Sequence, residues 1–263
     1  MDTGPIPHPR EEDNLLSLTD LSDTNRENLK QSDQEFCPHT WEQLKEIIGM
    51  VLSCVCWPPY RTSPMPGSVQ ADNDLETFAG ARQFQQLKRY PSQLRRYLVW
   101  SSQIKREYGN ISNFVCRERL HWPSPDDANN PLKAKESIPF GHPDDYKILR
   151  NDWPYAVPAD VTHLVLWMKT PLASTPDGVL LQAAQTQVQE FVDARFMSPL
   201  KARTGLKDTD DMVLWFKNWS ALQSVGALEH FHCLVRGADE ALLREWTGDN
   251  SSDASTLRDY HEA

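Results

Sequence analysis

Asp211-Met-Val-Leu-Trp-Phe-Lys-Asn-Trp-Ser-Ala-Leu-Gln-Ser-Val-Gly-Ala-Leu-Glu-His-Phe-His-Cys-Leu-Val-Arg236 holds two β-branched and aromatic runs, Val213 to Phe216 and His230 to Val235, around a short connection. Runs of this kind read as a pair of strands. Side chains alternate along a strand, so His230 and His232 share one face, and Phe231 and Cys233 the other. Imidazole titrates near neutrality, and two imidazoles on one strand face mark the place to look for chemistry.

Upstream of this pair, Val161 to Lys169 is the clearest strand of the chain and Ile148-Leu149 a shorter one. Residues 178–198 carry a helical period, with Leu181, Ala184, Val188, Phe191 and Val192 as the expected buried face. Ala238 to Trp246 forms a closing helix. The N-terminal half is helical. Thr40 stands as N-cap with Gln43 three residues on, followed by Trp41, Leu44, Ile47 and Ile48 on one stripe. Pro91 opens a second helix with Leu94, Tyr97, Leu98, Ser101 and Ile104 at helical spacing. Tyr108-Gly109-Asn110 breaks it, and Ile111 to Leu120 resumes. The order predicts an α+β fold, a helical N-terminal part packed on a small antiparallel sheet.

Three stretches fall outside that pattern. Residues 1–38 are polar and are expected to stay disordered, since they bury too little apolar surface to offset ordering. Residues 39–246 make a single domain, and 247–263 a flexible tail. Residues 50–80 have neither helical nor strand period, and joining Ile48 to Ala81 restores coherent helical material. They read as an insertion or a mis-spliced segment.

Composition narrows the class. A net charge of -10 over 263 residues argues against nucleic acid or an anionic membrane as main partner. No apolar run reaches membrane-spanning length. Five cysteines without regular spacing predict a reduced, cytoplasmic protein rather than a disulfide framework. Cys54 and Cys56 find no second thiol pair to complete a zinc site. Paired carboxylates at Glu118 and Asp144-Asp145 read as solvated loop charges, and most of the tryptophans as core.

The order of elements carries a resemblance. Asn151-Asp152-Trp153-Pro154, then His163 on a strand, a helix, Phe216-Lys217-Asn218 and His230-Phe231-His232 resemble the arrangement in histidine-triad (HIT-like) nucleotide hydrolases and transferases. That likeness implies a HIT-like order of strands and helix, with His232 as the nucleophile on an α-phosphate and His230 as its partner. It also implies ligand contacts from Asn218, His163, Asn151 and Asp152. The sequence departs from it at Leu234, where the superfamily has His or Gln. Tyr90-Pro91-Ser92-Gln93-Leu94-Arg95-Arg96-Tyr97, Tyr108-Gly109-Asn110-Ile111, Arg119-Leu120-His121-Trp122 and the segments just named are more closely similar to the fungal N-acetylglucosamine-induced protein family. Together these resemblances imply a phosphorylated sugar or nucleotide as ligand, and name no cofactor. A phosphate-ester or nucleotide hydrolase or transferase, a non-catalytic ligand-binding protein, and a metal enzyme built on His163, His230 and His232 all remain open.

Overall fold

The computed structural model describes residues 21–54, 84–176, 178–205, 211–218, 223 and 225–248. Two polar-capped helices open the described chain, α1 (Asp23–Leu29) and α2 (Trp41–Cys54). The capping box of α2 is realised. Thr40 Oγ1 accepts from Gln43 N at 3.3 Å, and Thr40 N donates back to Gln43 Oε1 at 2.9 Å. Helix α3 (Pro91–Tyr108) ends at Gly109, whose φ of 81° suits a residue without a Cβ. Asn110 then caps α4 (Ile111–Phe114), which runs on through a π-helical turn, Val115–Leu120.

The sheet has four antiparallel strands: β1 (Tyr146–Arg150), β2 (Val161–Met168), β3 (Val213–Phe216) and β4 (Glu229–Arg236). Their order is β1-β2-β4-β3, which makes the fold α+β. Between β2 and β3 lie α5 (Gln182–Val192), a π-helical turn Asp193–Met197 and α6 (Ser198–Thr204), and α7 (Glu240–Thr247) follows β4. Central strands β2 and β4 are covered on both faces, which explains their almost unbroken apolar composition.

One face carries Leu164, Leu166, Met168, Trp215, Phe231, Cys233 and Val235, and packs against α5, α6 and α7 through Val188, Val192, Phe196, Leu200 and Trp246. On the other face, Val165 and Trp167 meet α3 and α4 through Ile104, Ile111 and Phe114. Val161, Phe216 and Leu234 meet Trp41, Leu44, Ile47 and Ile48 of α2 on that same side. The alternation read from His230 to Cys233 therefore holds, and both histidines face the N-terminal helices. Among the described residues no helix is long and apolar enough to cross a membrane.

Two expectations meet a different outcome. Leu181 was placed on the buried face of a helix, yet α5 starts one residue later and Leu181 is 48% exposed, while Leu180 beside it is buried. Residues 21–38 are placed against the start of α3 rather than standing apart. Asn28 donates to Arg89 O at 2.9 Å, Arg95 donates to Leu29 O at 2.8 Å, and Ser92 N donates to Asp33 Oδ1 at 2.8 Å. Polar side chains here satisfy backbone groups of a neighbouring element, and a hydrophobicity count does not register such contacts. Residues 1–20, 55–83 and 249–263, which hold most of the suspected insertion and the C-terminal tail, lie outside the described residues.

Candidate functional site

The strand register decides how the histidines meet. Val165 of β2 pairs with His232 of β4, Trp167 with His230, and His163 with Leu234, so His163 and His232 are diagonal neighbours on one face. His163 Nε2 lies 3.0 Å from His232 Nδ1. Around them, Tyr155 stacks on His163 at 5.2 Å between ring centroids, and Phe216, opposite His232 on β3, stacks on it at 5.0 Å. Trp167 lies over His230 at 4.8 Å.

One proton arrangement satisfies this network. Tyr155 N–H donates to His163 Nδ1 at 3.2 Å, so His163 keeps its proton on Nε2 and donates to His232 Nδ1. His232 then carries its proton on Nε2, 3.2 Å from the Asn218 side-chain amide. An amide turned to present its oxygen accepts that proton and gives a partner to Asn218 Oδ1, a buried atom otherwise without one. The Tyr155 hydroxyl lies 3.3 Å from the same amide, and Asn151 Nδ2 approaches His163 Nδ1, the acceptor edge of the ring, at 3.3 Å. Both ring nitrogens of His232 are thus engaged. His230 differs. Its Nδ1 bonds to Leu228 O at 2.8 Å, which fixes the proton there and leaves Nε2 a lone pair with no partner among the described residues.

His230, His232, Asn218, Asn151 and Asp152 line a cavity of about 90 Å³, closed on its other sides by Tyr97, Trp100, Trp153, Val165 and Trp167. His163 stands behind it rather than on its wall. Three arginines border the space, and Arg150 is paired with Glu240. Arg119 forms a two-pronged pair with Asp152, at 2.9 and 2.7 Å. Arg89 donates to Trp153 O at 3.0 Å and lies over the Tyr97 ring, and no carboxylate pairs with it among the described residues.

Electrostatics keep the imidazoles neutral. Burial pushes the His163 pKa down to about 3, and the Arg89 charge pushes the same way. Burial also holds His232 well below its ordinary value, helped by the neighbouring His163, and lowers His230 against the opposing pull of its bond to Leu228. Enclosure raises Asp152, opposed by Arg119. A neutral imidazole with a free nitrogen is a nucleophile, a base or a metal ligand. Among the described residues no group of three His, Cys, Asp or Glu side chains is set to hold a metal ion. His163 and His232 turn their nitrogens on each other instead, at hydrogen-bond distance.

All six residues that the sequence singled out gather here: His230, His232, Asn218, Asn151 and Asp152 on the wall and His163 behind it. Arg89 and Tyr155 were not foreseen. Arg89 sits in a Lys-Arg-Tyr-Pro run with no periodic neighbour, and nothing local in the sequence aims it at the sheet.

Residues 73–236 match the family described as "Protein of unknown function (DUF3605)". The chain is 25% identical over 201 residues to "N-acetylglucosamine-induced protein 1" of Candida albicans, covering 72% of this chain and 73% of that protein. It is 32% identical over 135 residues to an uncharacterized protein of Saccharomyces cerevisiae, covering 50% of this chain and 62% of the relative. A solved structure titled "Crystal Structure of HTC1" is 23% identical, with a TM-score of 0.42, over 71% of this chain and 90% of that one.

Proposed function

The chain belongs to the DUF3605 family, and from that premise we propose that its histidine cavity binds a phosphate-bearing small molecule and attacks it through His230. The observation that carries this reading is His230 Nε2 on the cavity wall, which has the Nδ1 proton on the far side of its ring and no hydrogen-bond partner among the described residues. Arg89, with no carboxylate partner among the described residues, supports binding of an anion, and the aromatic walls support stacking of a sugar or base. The likeness to histidine-triad hydrolases and transferases supports phosphorus as the atom attacked.

In this reading His230 and His232 exchange the roles that the likeness implied. His230 Nε2 donates its lone pair to phosphorus, the bond from phosphorus to the leaving oxygen breaks with its electron pair on that oxygen, and the oxygen takes a proton from solvent, which the hydrolytic water later returns. The resulting phosphorylated imidazolium keeps its Nδ1 proton on Leu228 O, which steadies the new positive charge. Water then attacks phosphorus, the P–N bond breaks, and the imidazole returns neutral. His232, held by His163 and Asn218, packs edge-on to His230 at 5.6 Å and fixes its ring. Asn151 and Asp152 stand on the wall for ligand hydroxyls. The relative's name records induction by N-acetylglucosamine, and this is the reason to place phosphorylated amino sugars first among candidates, with nucleotides second.

The second reading is ligand binding without turnover, favoured by the enclosure of His230, which is only 5% exposed. Titration of N-acetylglucosamine 6-phosphate, uridine diphosphate N-acetylglucosamine and adenosine monophosphate, followed by intact-mass analysis, separates the two. The expected result is a ligand-derived mass on the parent chain that is absent in His230→Ala and present in His232→Ala. Saturable binding with no adduct and no turnover leaves the binding role. A parent chain that binds none of the three removes both.

A further inference from the structure

A second cavity, of about 330 Å³, opens where β2 ends and β4 begins, and shares no lining residue with the first. Lys169, Lys217, Glu229, Gln223, Ser174 and Thr175 give it a polar wall. Its two lysines are nearly enclosed, with side chains 12% and 7% exposed.

Their carboxylate partners do not use up their hydrogens. Lys217 Nζ lies 2.7 Å from Glu229 Oε1, while Glu229 Oε2 accepts from Leu172 N at 3.2 Å. Lys169 Nζ is 3.6 Å from Asp145 Oδ1, beyond hydrogen-bond reach, and sits over the Trp122 ring. The Asp145 carboxylate is already occupied by Lys135 N and Glu136 N at 2.8 to 2.9 Å. An ammonium carries three donors, and among the described residues Lys169 has no acceptor within hydrogen-bond reach and Lys217 has one, Glu229 Oε1. Enclosing charged donors without acceptors is costly unless something else supplies oxygens.

We propose that this cavity is a second binding site, for a small phosphate ester whose phosphoryl oxygens are taken by Lys169 and Lys217. Two ammonium groups act as point charges and meet a tetrahedral oxyanion from separate directions, whereas a planar carboxylate is better matched by a guanidinium fork. The volume exceeds a bare phosphate, and Glu229, Gln223, Ser174 and Thr175 supply partners for the hydroxyls of an attached polyol. The site uses none of the residues of the His230 reading and stands if that reading fails.

The experiment titrates the full chain with inorganic phosphate and with glucose 6-phosphate by calorimetry. Removing Lys217 alone would strand a buried carboxylate, so the variant is the double change Lys217→Gln with Glu229→Gln. A second variant, Gly226→Phe, blocks the cavity without touching a charge. Gly226 is exposed on the wall, and a Cβ there meets nothing within 4 Å. Expected is saturable binding of glucose 6-phosphate, tighter than phosphate, weakened at least tenfold by Gly226→Phe and by the double change, and retained in Arg89→Gln. No saturable binding by the parent overturns the proposal. So does binding that survives Gly226→Phe, or that only Arg89→Gln abolishes.

Discussion

His163 Nε2 and His232 Nδ1 meet at 3.0 Å across β2 and β4, a contact that a single proton holds. Adding a second proton turns it into two N–H groups pointing at each other inside the sheet-helix interface. Both folded pKa values lie below the ordinary value near 6.5, with His163 down to about 3. Below about pH 6.5 the unfolded chain therefore takes up protons that the folded chain refuses. The stabilising contribution is full above that pH and is lost progressively as pH falls toward 3. Urea midpoints should drop between pH 7 and pH 4.5, and the nitrogen shifts of His163 and His232 should stay those of neutral rings at pH 5.5. Either ring titrating near 6.5 would contradict the contact.

The two strand histidines should separate in stability. His232→Ala removes its contacts to His163 and Asn218 and its stacking on Phe216, and should cost ~1–3 kcal/mol through buried groups left unpaired. His230→Ala removes one bond to Leu228 and the contact with Trp167, and should cost less, while abolishing the ligand adduct. Equal losses in chemical denaturation would deny the distinction.

Adjacent leucines give a sharper contrast. Leu180 is 6% exposed within the core, and Leu181 is 48% exposed. Leu180→Ala should cost about 2–5 kcal/mol through lost burial and the cavity left behind. Leu181→Ala should stay within about 0.5 kcal/mol of the parent. Melting temperatures that move together would put the start of α5 in the wrong place.

Shortening the N-terminus tests how residues 21–36 dock. A chain that begins at residue 37 loses the Asn28 bond to Arg89 O, the support of Arg95 by Leu29 O, and the Asp33 contact to Ser92. It should melt several degrees below one that begins at residue 21. Because Arg89 is steadied by this arm, the shorter chain should also bind phosphate-bearing ligands less well. Identical melting and binding would show that the arm contributes nothing.

Short-range pattern carried much of this protein. The alternation around His230-Phe231-His232-Cys233 was enough to place the imidazoles on one face, because a strand's side-chain period is fixed by its backbone. Thr40 and Gln43 announced the start of α2, since a capping box closes within four residues. The break at Gly109 was equally local. Leu181 misled because a leucine at the first position of a periodic run looks the same whether the helix starts before it or after it.

Tertiary structure alone decided what those local elements do together. No sequence rule gives the register that sets His163 diagonal to His232, since that depends on how β2 and β4 align over their whole length. The same packing engages both nitrogens of His232 and leaves His230 Nε2 without a partner among the described residues, so the different surroundings of two histidines two positions apart are a property of the packed sheet. Arg89 reaches the cavity from a segment far from β4 in the chain, and Lys169 stands apart from the Asp145 carboxylate, which accepts from the backbone N–H groups of Lys135 and Glu136. Local backbone geometry wrote the elements into the sequence. The sites arose from distances between residues tens of positions apart, and those distances exist only once the chain has folded.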